Sequence, residues 1–464
     1  MALLARMPSP PVLVIHWFRR DLRILDNTAL FHAARSADAV LPVYILSDWK
    51  RNHPWTGPKR QAFLCKSLES LAKNLETIRG RLVIRCGAAD EVLEHLIRES
   101  GAKSLSFNRD PDPFGREIEA RVEQMARRLG IACTGYHDVT LHTPEEVRTQ
   151  DGKPYRVFTP YSKNWLTLAK PEPLPKPEAL NTPAGIKSLD LPTNAYWKLP
   201  EPEGCEIPEG GERAARERLK GLVGISQDYK ELRDLPGVGG TSRLSQDLRF
   251  GLLSPRTIYK QAVEARAGTR SRAAQDGIDC YVKELAWREF YMAVLWQFPN
   301  VLAEEFNPDW RGLRWEEPGE NFEAWKEGRT GFPIVDAGMR ELLATGFMHN
   351  RLRMITAMFL TKDLHTDWRL GEQFFMQHLV DGEIASNNGG WQWSAGTGAD
   401  AAPYFRIQNP WSQAKRYDPE GVYVKHWVPE LRDVPVERLF EPPRDGKPLA
   451  TGYPLPCVDH KQER

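Results

Sequence analysis

Between Asp381 and Ala402 the chain reads DGEIASNNGGWQWSAGTGADAA. It offers the carboxylates Asp381 and Glu383, the amides Asn387 and Asn388 and the indoles Trp391 and Trp393 around a glycine pair. Amides and carboxylates can bond the edge of a heteroaromatic ring, indoles can stack on its face, and glycines let backbone come close. The stretch is poor in aliphatic residues, which speaks against an ordinary core helix and for a site built around a flat, polar aromatic ligand. A second stripe lies at Glu284, Trp287, Arg288 and Tyr291, spaced i, i+3, i+4, i+7 so that all four share one helix face. Charge and aromatics together suit neither a solvated face nor an unpaired core face, so a ligand-facing stripe is expected. Asn350, Arg353 and Met354 repeat the pattern, although Arg353 could equally serve an interhelical salt bridge. The run GGTSRLS (Gly239–Ser245) joins glycines, hydroxyls and Arg243, which reads either as a phosphate site at a helix start or as a capped turn.

These groups need elements to hold them. From residue 12 to about 140 short apolar runs (Val12–Trp17, Ala39–Leu46, Arg81–Arg85, Lys103–Phe107, Ala132–Tyr136) alternate with helical patterns, which predicts a parallel sheet covered by helices. No G-x-G-x-x-G follows any of these strands, so a nucleotide is not expected there. Residues 141–211 form a connector whose proline density from Lys170 onward blocks helix and sheet interiors. Its Leu, Ile, Tyr and Trp residues predict an ordered strap over the surface, not a free tether. Residues 212–431 show helical periodicity almost throughout, for an all-α domain, and 432–464 read as a weakly structured tail.

The bulk numbers exclude several classes. With 464 residues, 41% apolar and 27% charged, the chain suits a soluble globular protein of roughly two to four domains. No apolar run is long enough to span a bilayer, and the apolar start is too short for a secretory signal. Six dispersed cysteines without a CxxC argue for reduced thiols in the cytoplasm, against a disulfide frame and against a metal site. The net charge of +1 requires any nucleic-acid face to be local.

HWFRRDLRILDN, GKPYRVFTPY, GTSRLS, ELAWREFY, TGFPIVDAGMREL, MHNRLRM and NNGGWQW, in that order from Val12 to Leu431, resemble the DNA photolyase and cryptochrome family. The resemblance is strongest to its bacterial (class I) enzymes for cyclobutane pyrimidine dimers. It implies a Rossmann-like α/β antenna domain, a long connector and a helical domain that binds FAD, reduced in the active form. It further implies light-driven electron transfer to a lesion flipped out of UV-damaged DNA, by a monomer with no obligatory protein partner. By the same resemblance, Tyr229, Thr241, Ser242, Arg243, Leu244 and Ser245 match contacts to the FAD phosphates and ribityl chain. Arg288, Asn350, Arg353, Asp381, Gly382 and Glu383 match residues around the flavin, and Asn387 the side chain at flavin N5. Glu284 matches the acid at the dimer's base edge, Trp287 and Trp393 the lesion-pocket walls and Met354 its floor. Arg233, Arg351 and Arg406 match DNA phosphate contacts. Trp391, Trp368 and Trp315 match a chain that carries electrons inward from the surface.

The departures are specific. Glu383 stands where the family often has Asp, and Tyr281 and Phe347 where some relatives have Trp. The segment NRDPDPFG lacks the Asn-Glu pair of a folate antenna, so Arg60, Asp110 and Asp112 point instead to a deazaflavin pocket. A (6-4) photolyase would carry histidines at positions 350 and 354. A cryptochrome photoreceptor would more often lack Asn387 or Glu284 and extend further at its C-terminus.

Overall fold

The computed structural model describes residues 12–51, 53–400, 407–444 and 446–463. Strands β1 (Leu13–Phe18), β2 (Ala39–Leu46), β3 (Val83–Cys86), β4 (Ser104–Asn108) and β5 (Ala132–Tyr136) pair in parallel, in the order β3-β2-β1-β4-β5. Every residue of β1 is buried, as a central strand covered on both faces requires. Helices α1 (Thr28–Ser36), α2 (Pro58–Glu76), α3 (Ala89–Ser100) and α4 (Pro113–Leu129) cover it. Asn27 caps α1 by accepting from the Leu30 N–H at 3.0 Å. Asp112 caps α4 by accepting from Gly115 at 2.7 Å, with Pro113 in the first turn. The strand order reverses between β1 and β4, so the loops that leave their C-terminal ends face each other across a crevice.

The connector is an ordered strap. Its helix α5 (Phe158–Thr167) packs on the helical domain. Leu180 is buried and exchanges backbone hydrogen bonds with Val40 and Ile78, both at 2.8 Å. The Asn194 amide donates to the carbonyls of Pro58 and Pro200, and Trp197 is buried beneath it.

Helices α6 (Glu212–Lys220), α7 (Leu222–Leu232), α8 (Ser245–Phe250), α9 (Pro255–Gly268) and α10 (Arg272–Gln297) begin the second half. Helices α11 (Glu320–Glu327), α12 (Pro333–Thr345), α13 (Asn350–Met358), α14 (Trp368–His378) and α15 (Ile384–Ala395) follow. A π-turn, Phe359–Asp363, extends α13. Helices α16 (Pro410–Tyr417), α17 (Val422–Trp427) and α18 (His460–Glu463) complete the chain. One hydrophobic core runs from β1 through α2 into α8 and α10, with the Phe63 and Phe250 rings 5.2 Å apart across the halves.

Two expectations fail. The Asn/Gly/Trp stretch is helical after all, as α15. Its amides are buried but satisfied: Asn388 donates to the Val301 carbonyl and to the Glu372 carboxyl, and Gln392 donates to the carbonyls of Val301 and Glu304. Gly389 lets α15 press against the Tyr291 ring of α10, where a Cβ would collide. The C-terminal stretch is also firmly packed. The Tyr453 hydroxyl donates to the Asp336 carboxylate at 2.6 Å, the Cys457 N–H donates to the Thr330 carbonyl at 2.8 Å, and His460 pairs with Asp363.

Candidate active site

The α10 stripe serves several partners. The Glu284 carboxylate is half-buried and pairs with Arg233, which caps the C-terminus of α7. Burial pushes the Glu284 carboxyl up from its ordinary range, and the Arg233 guanidinium pulls it back. Trp287, one turn on, lies flat against Phe158 of α5, ring centroids 3.6 Å apart and planes within 10°. Phe158 comes from the connector, and no spacing rule singled it out. Arg288 donates to the Val139 carbonyl at 2.7 Å, tying the helix to the end of the α/β half. Arg351 pairs with Asp234 at 2.7 Å and lies over the Tyr417 ring, with Met354 one turn further along α13. Arg233, Glu284, Asp234 and Arg351 thus form one charged patch linking α7, α10 and α13. Arg406 lies outside the described residues.

Opposite this patch, α13, α15 and the turn before α15 converge. Arg353 forms a two-point contact with Asp381, at 2.8 and 3.1 Å. It also donates to the Met348 carbonyl at 2.8 Å. Phe347 sits between two guanidiniums, Arg243 at 4.0 Å and Arg353 at 5.5 Å from its ring centroid. Arg243 has a left-handed φ of 49°, which turns the chain sharply into α8. Leu244 and Tyr229 are buried there, the Tyr229 and Tyr281 rings meet edge to face, and the Tyr281 hydroxyl lies 3.2 Å from Ser242 Oγ.

These groups fit a flavin dinucleotide. Asn350 is exposed at the start of α13. Asn387 uses its amide N–H on the Glu372 carbonyl at 3.1 Å, which leaves its Oδ1 to accept from a ligand. The Trp391 indole N–H is buried without a protein partner. Glu372 beneath Asn387 is another residue that sequence reasoning missed; burial pushes its carboxyl up to about 8.

The three tryptophans differ in exposure. Trp391 and Trp368 are buried, whereas Trp315 is half-exposed beside the isolated bridge Glu316–Thr366. Trp391 packs against α14 at Gly371 and has the Trp325 ring 6.1 Å away, an indole that spacing did not flag. Trp393 is half-buried two residues further along α15.

Two groups of expected site residues meet protein partners. Glu383 pairs with Arg20 of the α/β half: its extra methylene carries the carboxylate across the domain boundary and away from the Asp381–Arg353 pair. The three residues expected to hold a deazaflavin all make protein contacts. Arg60 donates to the carbonyls of Trp55, Met376 and Leu379, and Asp110 and Asp112 flank Arg20 at 2.7 and 3.8 Å. All three are at least nine-tenths buried, so a chromophore would have to displace these bonds.

Residues 14–178 match the family model for DNA photolyase, and residues 281–464 that for the FAD binding domain of DNA photolyase. The chain is 38% identical to a deoxyribodipyrimidine photo-lyase from Synechococcus, over 96% of this chain and 94% of that one. It superposes on a bacterial class III photolyase from Agrobacterium tumefaciens with a TM-score of 0.91 at 38% identity, covering 99% and 97% of the two chains. A cryptochrome from Synechocystis gives 0.88 at 31% identity, covering 98% of each. Sheet order, connector, helical site and these likenesses agree: the chain belongs to the DNA photolyase family.

Proposed function

We propose that this protein repairs cyclobutane pyrimidine dimers in DNA, driven by light absorbed through bound FAD. The observation that carries the reading is Glu284 with its surroundings: a half-buried carboxyl, raised by burial, paired with Arg233 and one helical turn from an indole backed by Phe158. Such a group can hydrogen-bond the edge of an extruded pyrimidine pair while the indole packs on its face.

FAD, when bound in reduced form, supplies the electron that opens the cyclobutane ring on illumination. The protein's own residues do the rest. Thr241, Ser242, Arg243, Leu244 and Ser245 would hold the phosphates, with Tyr229 beside them. Asn350, Arg353, Asp381 and Arg288 would orient the ring system, and the Asn387 Oδ1 would accept a hydrogen bond from its edge. Met354, Trp287 and Trp393 shape a dry pocket for the lesion. Arg233, Arg351 and Arg406 take backbone phosphates, which requires Arg233 and Arg351 to exchange Glu284 and Asp234 for DNA. Trp391, Trp368 and Trp315 would form a path for electrons to bound FAD, and Trp315, half-exposed where the other two are buried, would be its outer end. We read the protein as a cytoplasmic monomer acting on damaged DNA without an obligatory partner.

Retention of both Glu284 and Asn387 favours repair over signalling, and the side chains of Asn350 and Met354 disfavour (6-4) chemistry. The test is dark binding by the purified protein, whose absorption spectrum must show FAD. Oligothymidine bearing one dimer should bind at least a hundredfold more tightly than undamaged oligothymidine. Equal affinities would remove the lesion-pocket reading.

A further inference from the structure

In an open α/β sheet the crevice where strand order reverses is the usual ligand site. Here that crevice lies between the loops after β1 and β4, and it is closed by ionic contacts. Arg20 from the β1 loop bonds Asp110 from the β4 loop at 2.7 Å, lies 3.8 Å from Asp112, and pairs through its other terminal nitrogen with Glu383 of the helical domain. All four side chains are about nine-tenths buried or more. Gly251 after α8 closes the crevice further, because a Cβ there would collide with the Arg20 carbonyl.

The same grip holds the whole turn that precedes α15. Arg249 of α8 donates to the Gly382 carbonyl at 2.8 Å, and Arg60 of α2 donates to the Leu379 carbonyl at 3.1 Å. A Cβ on Gly382 would come within 2.6 Å of the Arg60 guanidinium, so the turn lies directly on it. Between these anchors Asp381 points the other way, to Arg353.

We propose that Arg20, held by Asp110 and Asp112, latches onto Glu383 and so positions the Asp381–Glu383 turn, and with it Asp381, Arg353 and Asn387, against the flavin. The α/β half then contributes to FAD retention through this buried latch. The inference rests on the helical site being the FAD site. Arg20 and Glu383 are positioning residues that act through Asp381. Reach is the specific feature: Glu383 spans the boundary with one methylene more than Asp would have.

The test uses the full-length flavoprotein and reads FAD release, together with amide exchange over residues 379–387. Arg20→Ala, Glu383→Gln and Asp110→Asn are each expected to speed FAD release at least tenfold and to raise exchange in the turn. The double variant Arg20→Ala/Glu383→Gln should be no faster than the faster single, because both remove one interaction. Glu383→Asp keeps the charge, is mild enough to fold, and should behave like Glu383→Gln. Release within twofold of the parent protein for Glu383→Asp and Glu383→Gln would overturn the proposal, as would additive effects in the double variant. A parent protein that carries no FAD would instead defeat the site reading, and exchange in the turn would still report the latch.

Discussion

Phe158→Leu isolates what the connector contributes to lesion recognition. Phe158 is 7% exposed and stacks on Trp287 at a centroid separation of 3.6 Å with planes 10° apart. It also meets Phe290 edge to face. Leucine keeps most of the buried apolar volume, so a large cavity is avoided. What disappears is the ring pair, worth about 0.5–1.5 kcal/mol beyond its buried area. Trp287 is then free to leave the orientation in which Phe158 backs it. A loss of about 1 kcal/mol corresponds to about fivefold in affinity. Fluorescence anisotropy in the dark, with dimer-bearing and undamaged oligonucleotides, measures the ratio directly. The dimer should bind about fivefold more weakly, with undamaged DNA and FAD content unchanged. An unchanged ratio would refute the argument, because Trp287 would then be held by its helix alone; a parallel fall in both affinities would mean a general loss of structure.

Three further outcomes follow from named contacts. Asp381→Asn leaves Arg353 without its ionic partner, and with side chains 3% and 27% exposed the pair lies between a buried and a surface bridge, so FAD should bind about thirtyfold more weakly (about 2 kcal/mol) in a reconstitution titration. Trp391→Phe should slow photoreduction of oxidised FAD at least tenfold, followed by absorbance under blue light, while chemically reduced protein repairs at the parent rate. His349 caps α13 by accepting from the Arg351 N–H at 3.1 Å, and burial lowers its imidazole from 6.5 to about 4. A depressed histidine contributes stability that is complete above about 6.5 and is lost as pH falls through about 4, at most about 3 kcal/mol. Urea unfolding of the apoprotein should show this loss, and His349→Asn should flatten it over the same window.

The β-strands were legible because each is a short apolar run between turn signals, and a covered parallel sheet needs only that. The long helix α10 was legible from its period. Helix α15 was not. Its polar residues are buried and bonded to carbonyls far away in sequence, so a rule that equates burial with apolarity misreads it. The packed C-terminal stretch escaped for the same reason, since Tyr453 and His460 find Asp336 and Asp363 across the fold. Within the site, spacing marked Glu284, Trp287, Arg353 and Asn387, while the roles came from resemblance. Phe158, Glu372 and Trp325 carried no local signal. Arg20 and Glu383 lie 363 positions apart, and only the docked domains bring them together.

The central claim is light-driven dimer splitting, and one measurement addresses it most directly. The purified, chemically reduced protein is mixed with oligothymidine carrying a single cyclobutane dimer and exposed to blue light, and intact thymine is read by absorbance and chromatography. The account predicts recovery of thymine over many turnovers in the light, none in the dark, and a clear loss of quantum yield in Glu284→Ala at equal FAD content. Tight dark binding of the dimer with no recovery under light would contradict it.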